Sequence, residues 1–294
     1  MEISKMWEAF EMSLFGGTLR NLSRPESGGK GGIEILEEAV ELLRRAPLSA
    51  LAAYYLGSAP FGLWFIHFWS DMSRSSMAYQ TVSQEAFGVA LLFLWMKTWQ
   101  TVFTRILWTH LAQGLASPWT LGRFLKAALL QCAAQPWGFL ALPVASLVLL
   151  PFAWVYAFFQ NVTVVGDGSQ PSLGELRRKS WALSKLWPRQ NHMALLCASG
   201  FSLFVFLNLA IALYLGPLLL KEFLGIETVF SRGINFLFNP TFWALGIMLT
   251  YLCVDPLLKA VYTLRCFYGE SLTSGQDLRS DLKALEAPAG ALDR

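Results

Sequence analysis

Charged residues are scarce in this 294-residue chain. Only 15% of its residues are Asp, Glu, Lys or Arg, whereas 54% are hydrophobic, against roughly 25% charged in a typical soluble domain. The apolar residues form runs that are too long and too frequent for a soluble core. The composition therefore predicts a membrane protein. Nucleic acid is not an expected partner, because the net charge of +3 is small and spread along the chain.

Motifs of known chemistry are also lacking. The sequence contains no nucleotide-binding glycine loop, no HExxH motif and no nucleophile elbow. Its three histidines and four cysteines show neither metal-ligand spacing nor a paired disulfide framework. We therefore expect no catalytic residue, no metal site and no cofactor.

The stretch from Ala86 to Leu107 is almost wholly apolar, yet it carries Lys97 near its middle and Arg105 near its end. About 20 apolar residues cross the ~30 Å hydrocarbon layer as a helix. Placing a lysine at the centre of such a span costs about 2.5–3.5 kcal/mol even on lenient insertion scales. We therefore expect a membrane span in which Lys97 faces other helices rather than lipid.

The same criterion, applied along the chain, predicts an all-α polytopic transmembrane helical bundle of about six spans with short cytoplasmic amphipathic helices. The predicted spans are 47–69, 86–107, 118–142, 144–165, 192–215 and 240–263. They are flanked by a cytoplasmic amphipathic segment, 1–46, and a cytoplasmic polar tail, 264–294. The first span is expected to serve as the insertion signal, because the residues before it mix acids and bases and contain no isolated apolar core.

The apolar run from 118 to 165 is too long for one crossing, and the placement of charge decides between one span and two. With a turn near Pro143, most Lys and Arg residues fall on one side of the membrane, whereas a single fused span would divide them almost evenly. The positive-inside rule therefore favours two spans. It predicts that both termini lie in the cytoplasm; the membrane itself is expected to be a bacterial inner membrane.

The first cytoplasmic segment with an amphipathic pattern runs from Ile33 to Arg45. Its acids come early and its arginines last, which is the order that the helix dipole favours. One apolar stripe contains Ile33, Leu36, Val40 and Leu43. We expect this helix to lie on the membrane surface or against the bundle, and docking of a partner protein is the alternative.

A second cytoplasmic helix is predicted between Ser172 and Leu186. Ser172 and Glu175 form a capping-box pattern at its start. Its leucines point one way, while its bases cluster elsewhere: Arg177, Arg178, Lys179 and Lys185. This pattern suits a helix on an anionic membrane surface, and a solvated connector is an equal alternative.

Ionisable residues also lie at membrane depth, as a candidate polar pair or path: Lys97, Arg105, Asp255 and Lys259. Asp255 precedes Pro256, whose missing N–H and bulky ring loosen a helix and free a carbonyl group. We expect Asp255 to meet Lys97 or Lys259 inside the bundle. A neutralised pair that fixes helix register is favoured over a substrate or proton path, which stays the alternative.

The stretch VVGDGSQPSLGELRRKSWALSKLWPRQN leads from an apolar helix through a polar turn to a basic helix. Together with the C-terminal pattern DPLLKAVYTLRCFYGESLTSGQDL, it resembles the bacterial six-span proteins grouped with the membrane domain of glycerophosphodiester phosphodiesterases. The matching C-terminal positions are Tyr262, Leu264, Arg265, Gly275, Asp277 and Leu278. This chain departs from the pattern by a longer segment between Arg265 and Gly275. The resemblance implies six spans and no catalysis, because the phosphodiesterase activity of that group belongs to a separate soluble domain.

These features predict an integral membrane protein without catalytic activity of its own. We expect an envelope-associated scaffold or accessory subunit, with membrane lipids and a membrane or cytoplasmic protein as partners. The alternative is a small transporter or lipid-handling protein with a midplane site at Lys97 and Asp255. No inverted repeat is visible between the two halves of the sequence, which disfavours the transporter.

Overall fold

The protein is an all-α helical bundle, as the sequence predicts. The computed structural model describes residues 30–114, 119–148, 152–170, 172–227 and 239–275, together with 277–279 and 282. In this part of the chain the helices are α1 (Gly32–Arg45), α2 (Leu48–Arg74), α3 (Ala78–Leu111), α4 (Leu121–Ala134), α5 (Gly138–Val148), α6 (Phe152–Val165), α7 (Leu173–Ser184), α8 (Pro188–Leu224) and α9 (Pro240–Ser274). A 3₁₀ turn, Gln135–Trp137, joins α4 to α5. The start of the amphipathic segment 1–46, the predicted span start at 118 and the last part of the tail, 283–294, lie outside the described residues.

Among the described residues, four helical segments are long and apolar enough to cross a membrane: α3, the α4–α5 segment (Leu121–Leu147), α8 and α9. The apolar helix α6 is shorter, and α2, which covers the predicted first span, is not among the four. The 37 residues of α8 extend for about 55 Å at 1.5 Å per residue, which exceeds the thickness of the hydrocarbon layer. The chain is therefore a membrane-embedded helical protein.

Helices α2 and α3 form an antiparallel hairpin with close backbone contact. Gly57 lies against Trp99, and Trp64 lies near Glu85, to whose carbonyl oxygen its Nε1 donates a hydrogen bond of 3.3 Å. A Cβ atom on Gly57 would be only 2.4 Å from Trp99 Cβ. The missing side chain at Gly57 is thus what lets the two helices approach at this point.

The prediction of a turn near Pro143 is wrong, because Pro143 lies inside α5. A helix that continues through a proline loses one backbone hydrogen bond, whereas an open turn inside an apolar layer leaves several groups unsatisfied. Continuing the helix is therefore the less costly arrangement. The segment that follows α5, residues 149–151, lies outside the described residues.

The chain does reverse direction between α4 and α6. Gln131 Nε2 donates to the carbonyl oxygen of Val162 at 3.1 Å, and Gln135 Nε2 donates to that of Phe159 at 3.3 Å. As residue numbers increase along α4 and the turn that follows it, the residues of α6 that they contact have decreasing numbers. Within the long apolar run, α4 and α6 are antiparallel.

Helix α1 packs against α8 and α9, but only half of the predicted stripe takes part: Leu36 and Leu43 are partly buried against the bundle. Ile33 and Val40 of that stripe are 46% and 54% exposed. The buried side chains of α1 are instead Ile35, Ala39 and Leu42. The rotation follows from Gly32, where a Cβ atom would lie 2.6 Å from Met193 Cβ. This close approach to α8 fixes which side of α1 faces the bundle.

Packing is dense at one end of the bundle and open at the other. The dense end consists of α1, α7, residues 166–170 of the loop before α7 and residues 264–274 of α9, and we call it the cap. Both hydrophobic clusters include residues of the cap, among them Ile35, Leu176 and Leu264, each 0% exposed. By contrast, the most apolar stretch of α8 contains no buried residue. The cap is therefore a packed layer across the ends of the long helices.

Candidate functional site

Asp255 is the centre of a buried polar network. Its Oδ2 accepts hydrogen bonds from the hydroxyl of Tyr54 and from Nε2 of Gln100, both at 3.0 Å. Its Oδ1 lies 3.3 Å from Nζ of Lys259, one helical turn later in α9. Asp255 is 3% exposed and Lys259 is 0% exposed. Both carboxylate oxygens therefore have partners within the protein.

The network connects four helices. Lys259 Nζ donates to Gln160 Oε1 of α6 at 2.5 Å. Gln100 of α3 also donates from Nε2 to the hydroxyl of Tyr251 in α9 at 2.8 Å. Since Tyr54 belongs to α2, the charged pair on α9 has hydrogen-bonded contacts with α2, α3 and α6. Any shift of one of these helices would break at least one of the buried contacts.

Lys97 lies at the edge of this network. Its Nζ donates to Gln100 Oε1 at 3.3 Å and lies 5.5 Å from the ring centre of Phe93. It therefore reaches Asp255 only through Gln100. Unlike Lys259, which is fully buried, the Lys97 side chain is partly exposed.

Pro256 frees a backbone carbonyl group beside the network. Because it has no N–H, the carbonyl oxygen of Leu252 lacks its usual helical donor. The hydroxyl of Tyr55 donates to this oxygen at 3.4 Å. A side chain of α2 thus compensates for the interruption in α9.

The network has no evident catalytic chemistry. Hydrolysis or group transfer needs a nucleophile beside a general base, and the carboxylate of Asp255 is already bound on both oxygens. Across the described ranges, no group of three His, Cys, Asp or Glu residues is placed to hold a metal ion. The network brings together a carboxylate and two ammonium groups, so it carries a net positive charge when all three are ionised.

Arg105 belongs to a second ionic cluster, in the cap, whose centre is Asp167. Nη2 of Arg123 lies 2.6 Å from Asp167 Oδ2, and Nη1 of Arg105 lies 3.5 Å from it. Ser169 donates to Oδ1 from its backbone N–H at 3.0 Å and from its hydroxyl at 2.5 Å. Gly168 has a φ of +80° and lies against Arg123, so glycine suits this tight loop.

Burial alone would raise the pKa of the Asp167 carboxyl. The hydrogen bonds from Ser169 and the charges of Arg105 and Arg123 outweigh that effect and hold the pKa below its ordinary value. Sequence analysis did not single out Asp167. The available signal was a lone acid between two glycines at the point where an apolar helix gives way to a basic one.

The basic helix forms as α7, and the capping interaction expected at its start is confirmed. The hydroxyl oxygen of Ser172 accepts a hydrogen bond from the backbone N–H of Glu175 at 3.2 Å. Leu176 and Leu183 are 0% and 9% exposed. They pack in the hydrophobic cluster that includes residues of α6 and α9. The leucine face of α7 is therefore covered by protein.

The four candidate bases of α7 differ in their partners. Arg178 Nη2 lies 2.7 Å from Glu175 Oε1, and Lys179 Nζ lies 2.7 Å from Glu270 Oε1. Arg177 and Lys185 are exposed. Within the part of the chain that the structure describes, only Arg178 and Lys179 of these four are thus neutralised locally by an acid.

Polar contacts also join the two ends of the described chain within the cap. Lys30 Nζ donates to the hydroxyl of Tyr268 and to Glu38 Oε2, both at 2.7 Å. Arg265 donates to the side-chain carbonyl oxygen of Gln190 and, at 2.9 Å, to the backbone of Leu186. The start of α1 and the end of α9 are therefore held together.

Comparison with known proteins gives no match to a family model, a curated protein or a solved structure. The resemblance to the six-span group therefore stays a prediction, and function has to be argued from the geometry above.

Proposed function

We propose that this chain is a six-span protein of a bacterial inner membrane, with both termini in the cytoplasm, that acts as a non-catalytic scaffold or accessory subunit of the cell envelope. The asymmetric Lys and Arg distribution supports this orientation, because the cap carries the basic helix α7. The antiparallel α2–α3 pair is consistent with repeated crossings.

One observation carries the non-catalytic role: the oxygens of Asp255 are bound by Tyr54, Gln100 and Lys259 of the protein itself. A buried charge pair whose members also hydrogen-bond neighbouring helices fixes their relative register. Such a pair leaves no position at the carboxylate for a substrate. The charges at membrane depth are then part of the bundle's construction.

The cap supplies the surface that a scaffold needs. Its helices are tied to the bundle by long-range polar contacts, including Lys179 to Glu270 and Lys30 to Tyr268. The side of α1 that faces away from the bundle presents Ile33 and Val40, both exposed. We propose this outer side of α1 as the docking face for a cytoplasmic or membrane partner protein.

Cysteine labelling tests the orientation. In a chain whose native cysteines are replaced, Ser76→Cys lies in the turn between α2 and α3, and Gly174→Cys lies on α7; both positions are exposed. A membrane-impermeant maleimide should label position 76 in intact spheroplasts and position 174 only after permeabilisation. The reverse pattern would contradict the proposed sidedness.

Photo-crosslinking tests the scaffold role. A photoreactive residue at Val40, on α1, should give a discrete protein adduct in living cells. The same residue at Leu203, which is 60% exposed on α8, should give lipid adducts and serves as the control. Absence of any protein adduct at Val40 and at neighbouring α1 positions would argue against the scaffold.

A second function, transport or lipid handling, is favoured by the partial exposure of Lys97 beside the buried pair. An accessible ammonium at membrane depth is a reasonable functional candidate. Lys97→Gln separates the two functions. A scaffold keeps its abundance, its Val40 adduct and its ability to complement a deletion strain, whereas a transport path loses complementation with the adduct intact.

A further inference from the structure

Two side chains of α7 and that of its C-cap residue, Lys185, form an exposed stripe along one side of the helix. Arg177, Trp181 and Lys185 follow one another at intervals of four residues, so they lie above one another on the helix surface. All three are exposed, and Trp181 has 45% of its surface accessible. Arg189, in the first turn of α8, is exposed as well. We call these four residues the basic stripe.

The cations of the basic stripe have no acidic partner among the described residues, in contrast to their neighbours. Arg178 pairs with Glu175 and Lys179 with Glu270. Lys185 instead lies with its Nζ 4.9 Å from the ring centre of Trp181. The stripe therefore offers three cations and an indole face to a ligand from outside the protein.

The basic stripe lies beside the ends of apolar helices, where these helices would emerge from the hydrocarbon layer. The Trp181 ring lies 6.0 Å from that of Phe158 in the apolar helix α6. Helix α8, which is long and apolar enough to span a membrane, begins at Pro188, three residues after Lys185. Trp154 and His192 form a further ring pair on these two helices, at 6.4 Å. Tryptophan and basic residues at the ends of spans are typical of the headgroup region.

The leucines of α7 are buried against the protein, so they are not available for insertion into lipid. An exposed tryptophan beside unpaired cations favours a ligand that combines negative charge with an apolar part. Arginine and lysine bind phosphate oxygens by charge-assisted hydrogen bonds, and an indole prefers the boundary between acyl chains and water. A glycerophospholipid with a net negative charge has both parts.

We propose that the basic stripe is a binding site for the headgroup of an anionic glycerophospholipid. The phosphate lies between Arg177, Lys185 and Arg189, and Trp181 contacts the glycerol and upper acyl chain. The inference rests on the proposed membrane location and is independent of the scaffold role. It makes α7 a lipid-anchored element of the cap.

Lipid binding to purified protein tests the site. Native mass spectrometry or a thermal-shift titration in mild detergent would compare phosphatidylglycerol, phosphatidylcholine and free glycerol phosphate. We expect the intact chain to prefer phosphatidylglycerol and to bind free glycerol phosphate far more weakly. Equal binding of phosphatidylcholine would overturn the charge argument, and equal binding of free glycerol phosphate would identify a soluble-anion site instead.

The decisive variant is Arg177→Gln with Lys185→Gln. Each basic residue near an anionic surface contributes enough that removing two should weaken phosphatidylglycerol binding roughly 10- to 30-fold. The matched control is Arg44→Gln with Arg45→Gln, which removes the same charge from the cap but from residues paired with Glu41. The control should stay within about twofold of the parent protein. Equal affinity in the stripe variant and the parent would overturn the proposal.

Two further measurements keep the test valid if the stripe variant fails to fold. The charge-preserving variant, Arg177→Lys with Lys185→Arg, should retain the preference for phosphatidylglycerol. In the parent protein, that preference should weaken as salt rises, because exposed charges are screened. A preference that salt does not change would overturn the proposal. Failure of the scaffold role would show separately, as a missing adduct at Val40.

Discussion

The indole Nε1 of Trp95 donates a hydrogen bond of 3.2 Å to the carbonyl oxygen of Leu56. That oxygen lies four residues before Pro60, which has no N–H to offer it. Trp95, from the neighbouring helix α3, therefore takes the place of the missing helical donor in α2. Tyr55 and Leu252 repeat the arrangement at Pro256 in α9. Unsatisfied carbonyl groups are costly inside a membrane, so these side chains permit proline there.

Replacing Trp95 with Phe removes the donor and keeps an aromatic ring. We expect the free energy of unfolding in detergent to fall by about 0.5–1.5 kcal/mol for the lost hydrogen bond, besides the change in ring size. The control is the same replacement in a Pro60→Ala background, where the introduced alanine supplies its own backbone N–H to the carbonyl oxygen of Leu56. Equal costs in both backgrounds would show that the indole does not substitute for the missing backbone donor.

Replacing Asp255 or Lys259 singly with Leu should strongly lower the free energy of unfolding, because each change leaves the other residue as a buried charge without its ionic partner. The expected cost is about 3–5 kcal/mol, seen as low abundance in membranes and a lower Tm in detergent. The double replacement by Leu should recover most of the loss, since no unpaired charge then remains. A double variant as unstable as the worse single variant would contradict the register role.

Gly57→Ala should separate α2 from α3. The new Cβ atom would lie 2.4 Å from Trp99 Cβ, a distance that requires the backbones to move. A cost of about 1–3 kcal/mol is typical of such overpacking. Gly200→Ala in α8 is the matched control, because no atom of the described residues lies within 4 Å of a Cβ atom there. Similar Tm values for both variants would contradict the close approach.

The Asp167 cluster should make stability depend on acid pH. The pKa of this carboxyl is lowered in the folded protein, so its contribution is present above the ordinary pKa of an aspartate and is lost as pH falls through the folded-state pKa. At pH 7, Asp167→Asn should lower stability by about 1.5–3 kcal/mol. The Tm difference between variant and parent should shrink as pH falls below about 4. A difference that does not change with pH would mean that the charge of Asp167 is not what matters.

The sequence predicts correctly those features of the fold that depend on residues close together in the chain. Run length and composition predict an all-α membrane bundle, because hydrocarbon thickness sets the length of a span. The Ser172 cap depends only on a residue three positions away, and the proximity of Asp255 and Lys259 follows from their spacing of one helical turn. These features need no knowledge of which helices are neighbours.

Features that depend on neighbouring helices were missed or misplaced. Helix α1 buries Ile35 and Leu42 more deeply than any residue of the predicted stripe, and its contact with α8 at Gly32 turns that side toward the bundle. Gln100 and Gln160, which complete the Asp255 network, are uncharged polar residues within predicted spans. A search for amides within predicted spans would have found both, but not the partners that they bind.

The contact between α1 and α9 imposes an order on biosynthesis. Helix α1 leaves the ribosome first, yet its partner Tyr268 is among the last described residues to be made. Its buried apolar residues, Ile35, Ala39 and Leu42, therefore lack their contact with α9 while the intervening helices are inserted. A chaperone or the lipid surface has to shield these residues during translation, and nascent chains stalled before α9 should be the species most prone to aggregation or proteolysis.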